Sequence, residues 1–457
     1  MRPNTPLHLL GLGLALLSAA AGAEPLELDM AQALERALAV DPRITEKERY
    51  VDYARAQLRE ARGAGGWSFD VNTFVGLAPT VKGGIFESTD PNTGRRIIDV
   101  SADAFDINGL SPWYYLDFKV IKPLHTFGKI EHYSKAAAGN IQVKRGEVER
   151  VRGDVLLDVG KAYYGYLTAR DTEYLLEDIL KKLQGARDLL QGWLKRGEGE
   201  AKQSDLFALE TGIALAQRYQ AEAKGYQRIA LDGLRTLVGA PLESPISVAE
   251  PRLRPLPLPE GSLEQLKARA MTNRPEVRQL AAGLEARREF VMARRSESLP
   301  NVYAGVGGVV SYAPRRQVFQ QLGIYDPFYS AGMTPMVGLK WDWAGGRQSA
   351  KVAQAKAELE ATLALQDQAR MGIPFQVAEQ YYTVHAHYDM VQRLYEGSRA
   401  GRRWMISAYA DFEAGLESAD KLVTAFQGYI AAYSDYLKVV NEYNQHVLKL
   451  RVVTGDI

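Results

Sequence analysis

The sequence predicts a mainly α-helical, internally duplicated chain that also carries four amphipathic β-strands of the kind that build a membrane β-barrel. Three observations predict this class. A stretch that switches from strand to long helix occurs twice, at residues 113–138 and 336–355. Colinear residue matches tie the second half of the chain to the first. The long helical runs keep an apolar residue every seventh position, the spacing of a coiled-coil seam.

Taken in order, the chain begins with a secretory signal over residues 1–23. Arg2 supplies its positive end, Leu9 to Leu17 its apolar core, and Ala21-Gly22-Ala23 a small-residue cleavage site, so the mature chain starts at Glu24. The apolar run is too short to span a membrane, and no later stretch approaches the roughly 20 apolar residues such a helix requires. Lys and Arg number 56 against 55 Asp and Glu, so no basic surplus points to nucleic acid. The chain has no cysteine, which excludes disulfides, thiolate metal sites and a lipidated N-terminal cysteine.

The duplication has two registers. Ala37 and Pro42 match Ala270 and Pro275 at a spacing of 233, and each pair ends one short helix and opens another, 45–62 and 276–295. Pro fits a helix's first turn, where its missing N–H costs nothing. Gly128, Ala137, Val159, Tyr163, Tyr164 and Gly197 match Gly346, Ala355, Val377, Tyr381, Tyr382 and Gly415 at a spacing of 218. The difference is absorbed by loops read at 78–112 and 313–333. The expected organisation is a first repeat at 24–239, a proline-rich linker at 240–261 and a second repeat at 262–457.

Strand patterns flank those loops. Trp67, Phe69, Val71, Thr73 and Val75 alternate with Ser68, Asp70 and Asn72, and Val302, Ala304 and Val306 alternate with Tyr303, Gly305 and Gly307. Tyr114, Leu116, Phe118 and Val120 oppose Asp117 and Lys119. Val337, Leu339, Trp341 and Trp343 oppose Gly338, Lys340 and Asp342. Such period-2 alternation marks a strand that is wet on one side and apolar on the other.

Two helical runs follow. From Gly128 to Leu194 there is no proline, and Val148, Val155, Ala162, Ala169, Leu176, Leu183 and Leu190 keep strict heptad spacing. A run of that length makes a rod on the order of 100 Å long. The second run, 346–410, carries Val377, Tyr381, Val384, Tyr388, Val391 and Tyr395, and Pro374 is expected to bend or break it. Each run ends at a glycine-marked turn, 194–205 and 412–420, and a returning helix follows, 205–238 and 420–453.

Four amphipathic strands cannot close a barrel in lipid, where about eight are the minimum. Several copies must share one. Three copies give twelve strands, and two or four would also close. Trp113, Tyr114, Tyr115, Trp341 and Trp343 near strand ends fit aromatic girdles. The small inward positions Ser68, Gly305, Gly307 and Gly338 leave room in a lumen. A plugged barrel serving as a scaffold or receptor, and a soluble coiled-coil protein, are the competing readings.

No enzyme site emerges. His385 and His387 are two apart on a helix and point to different faces, and no metalloprotease, nucleophile-elbow or phosphate-loop motif is present. No cofactor or metal site is expected.

The passages TFGK (126–129) and AGGR (344–347), the turn FEAGLESAD (412–420) and the endings LRTLVGAP (234–241) and LRVVTG (450–455) carry a family resemblance over the whole mature chain. In that order, and doubled, they resemble the TolC-like outer-membrane efflux proteins. The resemblance implies a homotrimer in the Gram-negative outer membrane: a twelve-stranded barrel in lipid and an α-helical tunnel across the periplasm. It implies an exit duct for a tripartite efflux or type I secretion system, joined to a periplasmic adaptor and an inner-membrane transporter. Leu194, Gly197, Phe412, Gly415 and Leu416 fall on the family's adaptor-docking tips. Asp205 and Asp420 are the nearest candidates for a pore gate, although their spacing from the tip glycines departs from the family pattern. In the barrel, Asp70, Asp117, Lys119, Lys340 and Asp342 are expected to face the lumen.

Overall fold

The computed structural model describes residues 26–82, 85–100, 106–197, 201–241, 243–316, 325–342 and 345–456. The signal segment, Trp343, and Glu198 and Gly199 of the first tip lie outside them. In chain order the elements are β1 (Leu26–Leu28), α1 (Met30–Val40), α2 (Pro42–Gly63), β2 (Ser68–Lys82), β3 (Ile85–Thr89), β4 (Arg96–Val100) and β5 (Asp106–His125). Then come α3 (Lys129–Arg196), α4 (Gln203–Leu237), β6 (Ile246–Val248), α5 (Leu263–Asn273) and α6 (Pro275–Ser296). The chain closes with β7 (Asn301–Tyr312), β8 (Ser330–Lys340), α7 (Arg347–Glu413) and α8 (Ala419–Thr454).

The two registers reappear in these bounds. α1 and α2 recur as α5 and α6 shifted by 233 residues at both ends. Their starts are built alike. Asp29 and Gln32 form a reciprocal capping box at α1, and Ser262 and Gln265 form one at α5. At the other end of each repeat, Gly239 and Gly455 take left-handed φ of 65° and 79°. The N–H groups of Ala240 and Asp456 then reach back to the carbonyls of Arg235 and Arg451, closing the same C-terminal motif twice.

The chain divides into two compact units. One comprises residues 46–150 and 271–373, the other residues up to 45, 151–270 and 374–457. The first holds the four-stranded antiparallel sheet, in the order β2-β5-β7-β8, and the β3–β4 hairpin. The strands are longer than the sequence suggested. Residues 78–82, 106–112 and 330–333 fall in the expected loops, with Gly109, Pro112 and Gly332 among them, yet the pairing register runs through them and on through Pro335. Pro112 pairs only on its β2 side, and Pro335 lies on the edge strand β8. These are positions where a missing N–H breaks no ladder.

The second unit is a helical bundle. Along α3, Val155, Ala169, Leu176, Leu183 and Leu190 of the heptad seam are buried, as is Val148 in the first unit; Ala162 is half-buried. Along α7 the seam is Val377, Val384, Val391, Ser398, Met405 and Phe412, all buried at seven-residue spacing. This corrects the expected mixed valine–tyrosine stripe: Tyr381 and Tyr388 flank the seam and Tyr395 is exposed. Pro374 lies inside α7 without ending it. The linker is fastened rather than loose. β6 pairs in parallel with β1. Buried Asp171 accepts the Leu253 N–H at 2.8 Å, and buried Asn444 accepts from Leu256 N–H at 2.8 Å while donating to the Arg254 carbonyl at 2.9 Å.

Candidate functional site

In the sheet, register fixes the faces. Phe69, Val71, Val75 and Leu77 of β2 stand opposite Val120, Phe118, Tyr114 and Pro112 of β5. Across β7 and β8 the same face continues through Val302, Ala304, Val306 and Val310 to Met333, Val337 and Leu339. This face is apolar from edge to edge and open in the single chain: Phe69 is 72% exposed and Val337 75%. An apolar patch of that extent marks a surface that meets lipid or another apolar partner.

The opposite face carries the charges. Asp70 pairs in register with Lys119, and Asn72 with Asp117, whose carboxylate accepts the Asn72 amide at 3.1 Å. Lys340 ends β8 on that face, and Asp342 lies just beyond the strand with its carboxylate 4.0 Å from Lys340 Nζ. Four of the five expected lumen residues therefore sit on strands, and Asp342 does not. The glycines of this face do not leave it open. A Cβ on Gly338 would stand 2.5 Å from the Tyr303 hydroxyl, and one on Gly307 would meet the Met336 methyl at 2.8 Å. Neighbouring side chains already fill those places.

The aromatic residues also divide between the faces. Tyr114 and Tyr312, paired in register, stand on the apolar face, as a girdle requires. Trp113 and Tyr115 stand on the charged face with Phe74. Trp113 packs on Phe74 at 4.7 Å, and its indole N–H donates to Ser311 Oγ at 2.7 Å. They belong to a cluster on the charged face and not to a girdle.

In the helical unit, α3 and α7 end at Gly197 and Gly415, with left-handed φ of 66° and 72° that favour glycine. The side chains around these turns differ in what they offer. Leu416 is 77% exposed, whereas Phe412 is 1% exposed, packed against Trp193 at a centroid distance of 5.4 Å. Phe412 thus lies in the core beneath the tip and not on the docking surface expected of it. Leu194 is half-buried against the same core. Phe412, Gly415, Leu416, Asp205 and Asp420 line one cleft of about 860 Å³. Both carboxylates serve helix starts. Asp205 accepts the Lys202 N–H at 3.2 Å. A hydrogen bond from Ser418 holds Asp420 below the usual carboxylate range, and Lys421 adds to the effect. Acidic groups in a first helical turn also complement the helix dipole.

The family profile described as "Outer membrane efflux protein" matches residues 266–456, the second of the two repeats. Over those residues the chain is similar to the outer membrane efflux proteins. Among its relatives is Protein CyaE of Bordetella pertussis, 26% identical, with 70% of this chain and 67% of that protein covered. Another is the Alkaline protease secretion protein AprF of Pseudomonas aeruginosa, 26% identical over 75% of this chain and 69% of the relative. The fold matches the Campylobacter jejuni CmeC outer membrane channel (TM-score 0.74, 14% identity, 99% of this chain and 94% of that one). It matches the Vibrio cholerae outer membrane protein VceC as well (TM-score 0.71, 14% identity, 93% and 96% covered).

Among the described residues no group of three or more His, Asp or Glu could hold a metal ion. His385 and His387 have separate neighbours: the first packs on Tyr381, the second on His446.

Proposed function

We propose that this chain is the exit duct of a tripartite secretion or efflux system in the Gram-negative outer membrane. Three copies each contribute the β2-β5-β7-β8 sheet to one twelve-stranded barrel, and the paired α3–α4 and α7–α8 hairpins form a periplasmic tunnel. The observation that carries this reading is the broad apolar face, broken only by Thr73 and by Lys122 near the end of β5, of a four-stranded sheet whose outer strands, β2 and β8, each have a partner on one side only among the described residues. Such a sheet is stable in lipid only when closed by further strands.

Asp70, Asp117, Lys119, Lys340 and Asp342 then line a water-filled lumen. Gly197 and Gly415 form the tips, where Leu416 and Leu194 meet a periplasmic adaptor bound to an inner-membrane transporter, and Phe412 supports them from below. Asp205 and Asp420 stand at the closed end. The two repeats, 24–239 and 262–457, act as matched halves joined by the 240–261 linker, after removal of residues 1–23. AprF is named for the secretion of a protease, which supports a polypeptide as cargo here.

Single-channel conductance of the purified protein in planar bilayers, with its mass in detergent, tests the proposal. Trimer-sized particles with small conductance, raised by substitutions at the tips, are expected. Particles that never conduct, tip substitutions included, would point to a plugged scaffold instead, and a monomer needing no detergent would overturn the barrel.

A further inference from the structure

At the end of the sheet away from α3 and α7, the charged face carries a small core of its own. Ser111 and Ala78 are fully buried there, and Ser311, Ala313 and Asp326 nearly so. The chain on either side of the β7–β8 connection folds onto this face instead of leaving it. Arg315 N–H donates to Ser111 Oγ at 3.1 Å, and Ser311 Oγ donates to the Pro327 carbonyl at 2.6 Å. Phe328 lies edge-on to Trp113 at 4.9 Å, and Trp113 in turn donates to Ser311.

A buried ion pair holds the arrangement. Arg316 meets both carboxylate oxygens of Asp326 at 3.3 Å, with only 10% and 4% of the two side chains exposed. The same guanidinium donates to the Pro79 carbonyl at 3.1 Å and lies over the Phe328 ring at 4.5 Å. Asp326 also accepts the Phe328 N–H at 3.1 Å. One arginine therefore ties β2, the start of the β7–β8 connection and its end together across the inner face. A two-point guanidinium–carboxylate contact fixes both distance and orientation. A connection needed only to join two strands at a barrel rim requires no buried charge, whose desolvation is costly.

We propose that Trp113, Arg316, Asp326 and Phe328 form a fixed constriction at the outer end of the pore, with the Arg316–Asp326 pair as its pin. The constriction selects cargo by width: an extended chain or small molecule passes and a folded body does not. This inference rests on the charged face lining the pore.

The chain's lack of cysteine makes a direct test possible. Asp117→Cys places one thiol on the inner face, four residues along β5 from Trp113. Intact cells are treated from outside with two membrane-impermeant maleimides, one short and charged, one carrying a polyethylene glycol chain. In the Asp117→Cys protein the short reagent is expected to react and the long one to be excluded. Adding Arg316→Gln with Asp326→Asn, which keeps shape and removes charge, is expected to raise labelling by the long reagent about tenfold. Phe328→Ala serves as a second variant, with the surface amount of each protein measured alongside. Equal labelling by the long reagent with the pin intact would overturn the constriction and leave the pore standing. Continued exclusion in both variants would overturn the role of the pin and of Phe328. If even the short reagent fails, Asp117 is not in a water-filled path, and the pore reading falls together with this one.

Discussion

Phe127 and Gly345 occupy the same point of the two repeats and hold the same left-handed backbone, with φ of 50° and 46°. Phe127 is the one residue other than glycine with positive φ among those described. The conformation belongs to the strand-to-helix passage itself, since it recurs whichever residue is present. A side chain in this region costs roughly 1–2 kcal/mol. Phe127 recovers part of that by packing edge-on to His125 at 4.5 Å. Gly345→Ala should therefore lower stability by about 1 kcal/mol. Phe127→Gly should leave it unchanged or slightly raised, because relief of strain is set against the greater freedom of glycine in the unfolded chain. Thermal unfolding in detergent separates the two outcomes. A large loss on Phe127→Gly would mean that the ring's packing, and not the backbone, is what matters there.

The tip pair Phe412 and Leu416 should respond in opposite ways. Phe412→Ala removes a fully buried ring from the core that Trp193, Leu190 and Leu422 share, at a cost of about 3–5 kcal/mol. Leu416→Ala touches a side chain in solvent and should change stability by less than about 0.5 kcal/mol. If Leu416 meets the adaptor, its loss should nonetheless weaken cross-linking to that protein in cells. Unchanged cross-linking and efflux or secretion in the Leu416→Ala strain would remove it from the docking surface.

Those two tests mark how far the sequence could be read. The first long helix was legible because heptad spacing and an absence of proline persist over dozens of residues, and the second because its apolar positions recur at three- and four-residue steps on past Pro374. The duplication was legible because colinear residue matches run through both halves at two spacings, 233 and 218. The strand ends were not. Gly109, Ser111, Pro112, Gly332 and Pro335 are turn-forming types, and their pairing depends on neighbouring strands that no local pattern reports. The α7 seam was obscured by Ser398, a polar residue at a buried position, and by tyrosines that run beside it. Phe412 looked like a tip residue because it is near the turn in sequence, while its burial depends on Trp193 from another helix. The inner-face cluster was invisible for the same reason: Arg316 and Trp113 are far apart in sequence, and only the sheet brings them together.

Asn444 offers a test of the linker as a fastening. Its side chain satisfies one donor and one acceptor of the 254–256 backbone and is itself fully buried. Asn444→Ala should cost about 1–3 kcal/mol for each backbone group left unpaired. The linker in that variant should also be cut faster by added protease, since its local tie to α8 is lost. Protease resistance equal to the parent's would mean that Asp171 and the β1–β6 pairing hold the linker without Asn444.

His446 should make the α7–α8 contact sensitive to acid. Its ring faces His387 at 4.7 Å and lies 3.3 Å from Gln380, while Glu442 approaches His387 at 3.8 Å. Burial, then the charges of His387 and Lys449, push His446 below its ordinary value of 6.5; Glu442 and Glu379 act the other way and do not prevail. The folded chain therefore holds the neutral ring more readily than the unfolded chain does. The stability this contributes is complete above about pH 6.5 and is lost as pH falls through that value towards the lower folded pKa. The melting temperature should accordingly fall between about pH 7.5 and pH 5, and His446→Gln should remove part of the fall, because glutamine can keep a hydrogen bond to Gln380 and takes up no proton. His387→Gln should also reduce it, by taking away the second charge that opposes protonation. If both variants melt with the same pH profile as the parent, the acid sensitivity arises elsewhere, for instance at Asp41. Arg43 holds that carboxylate below its usual range, and its contribution would be lost only at distinctly lower pH.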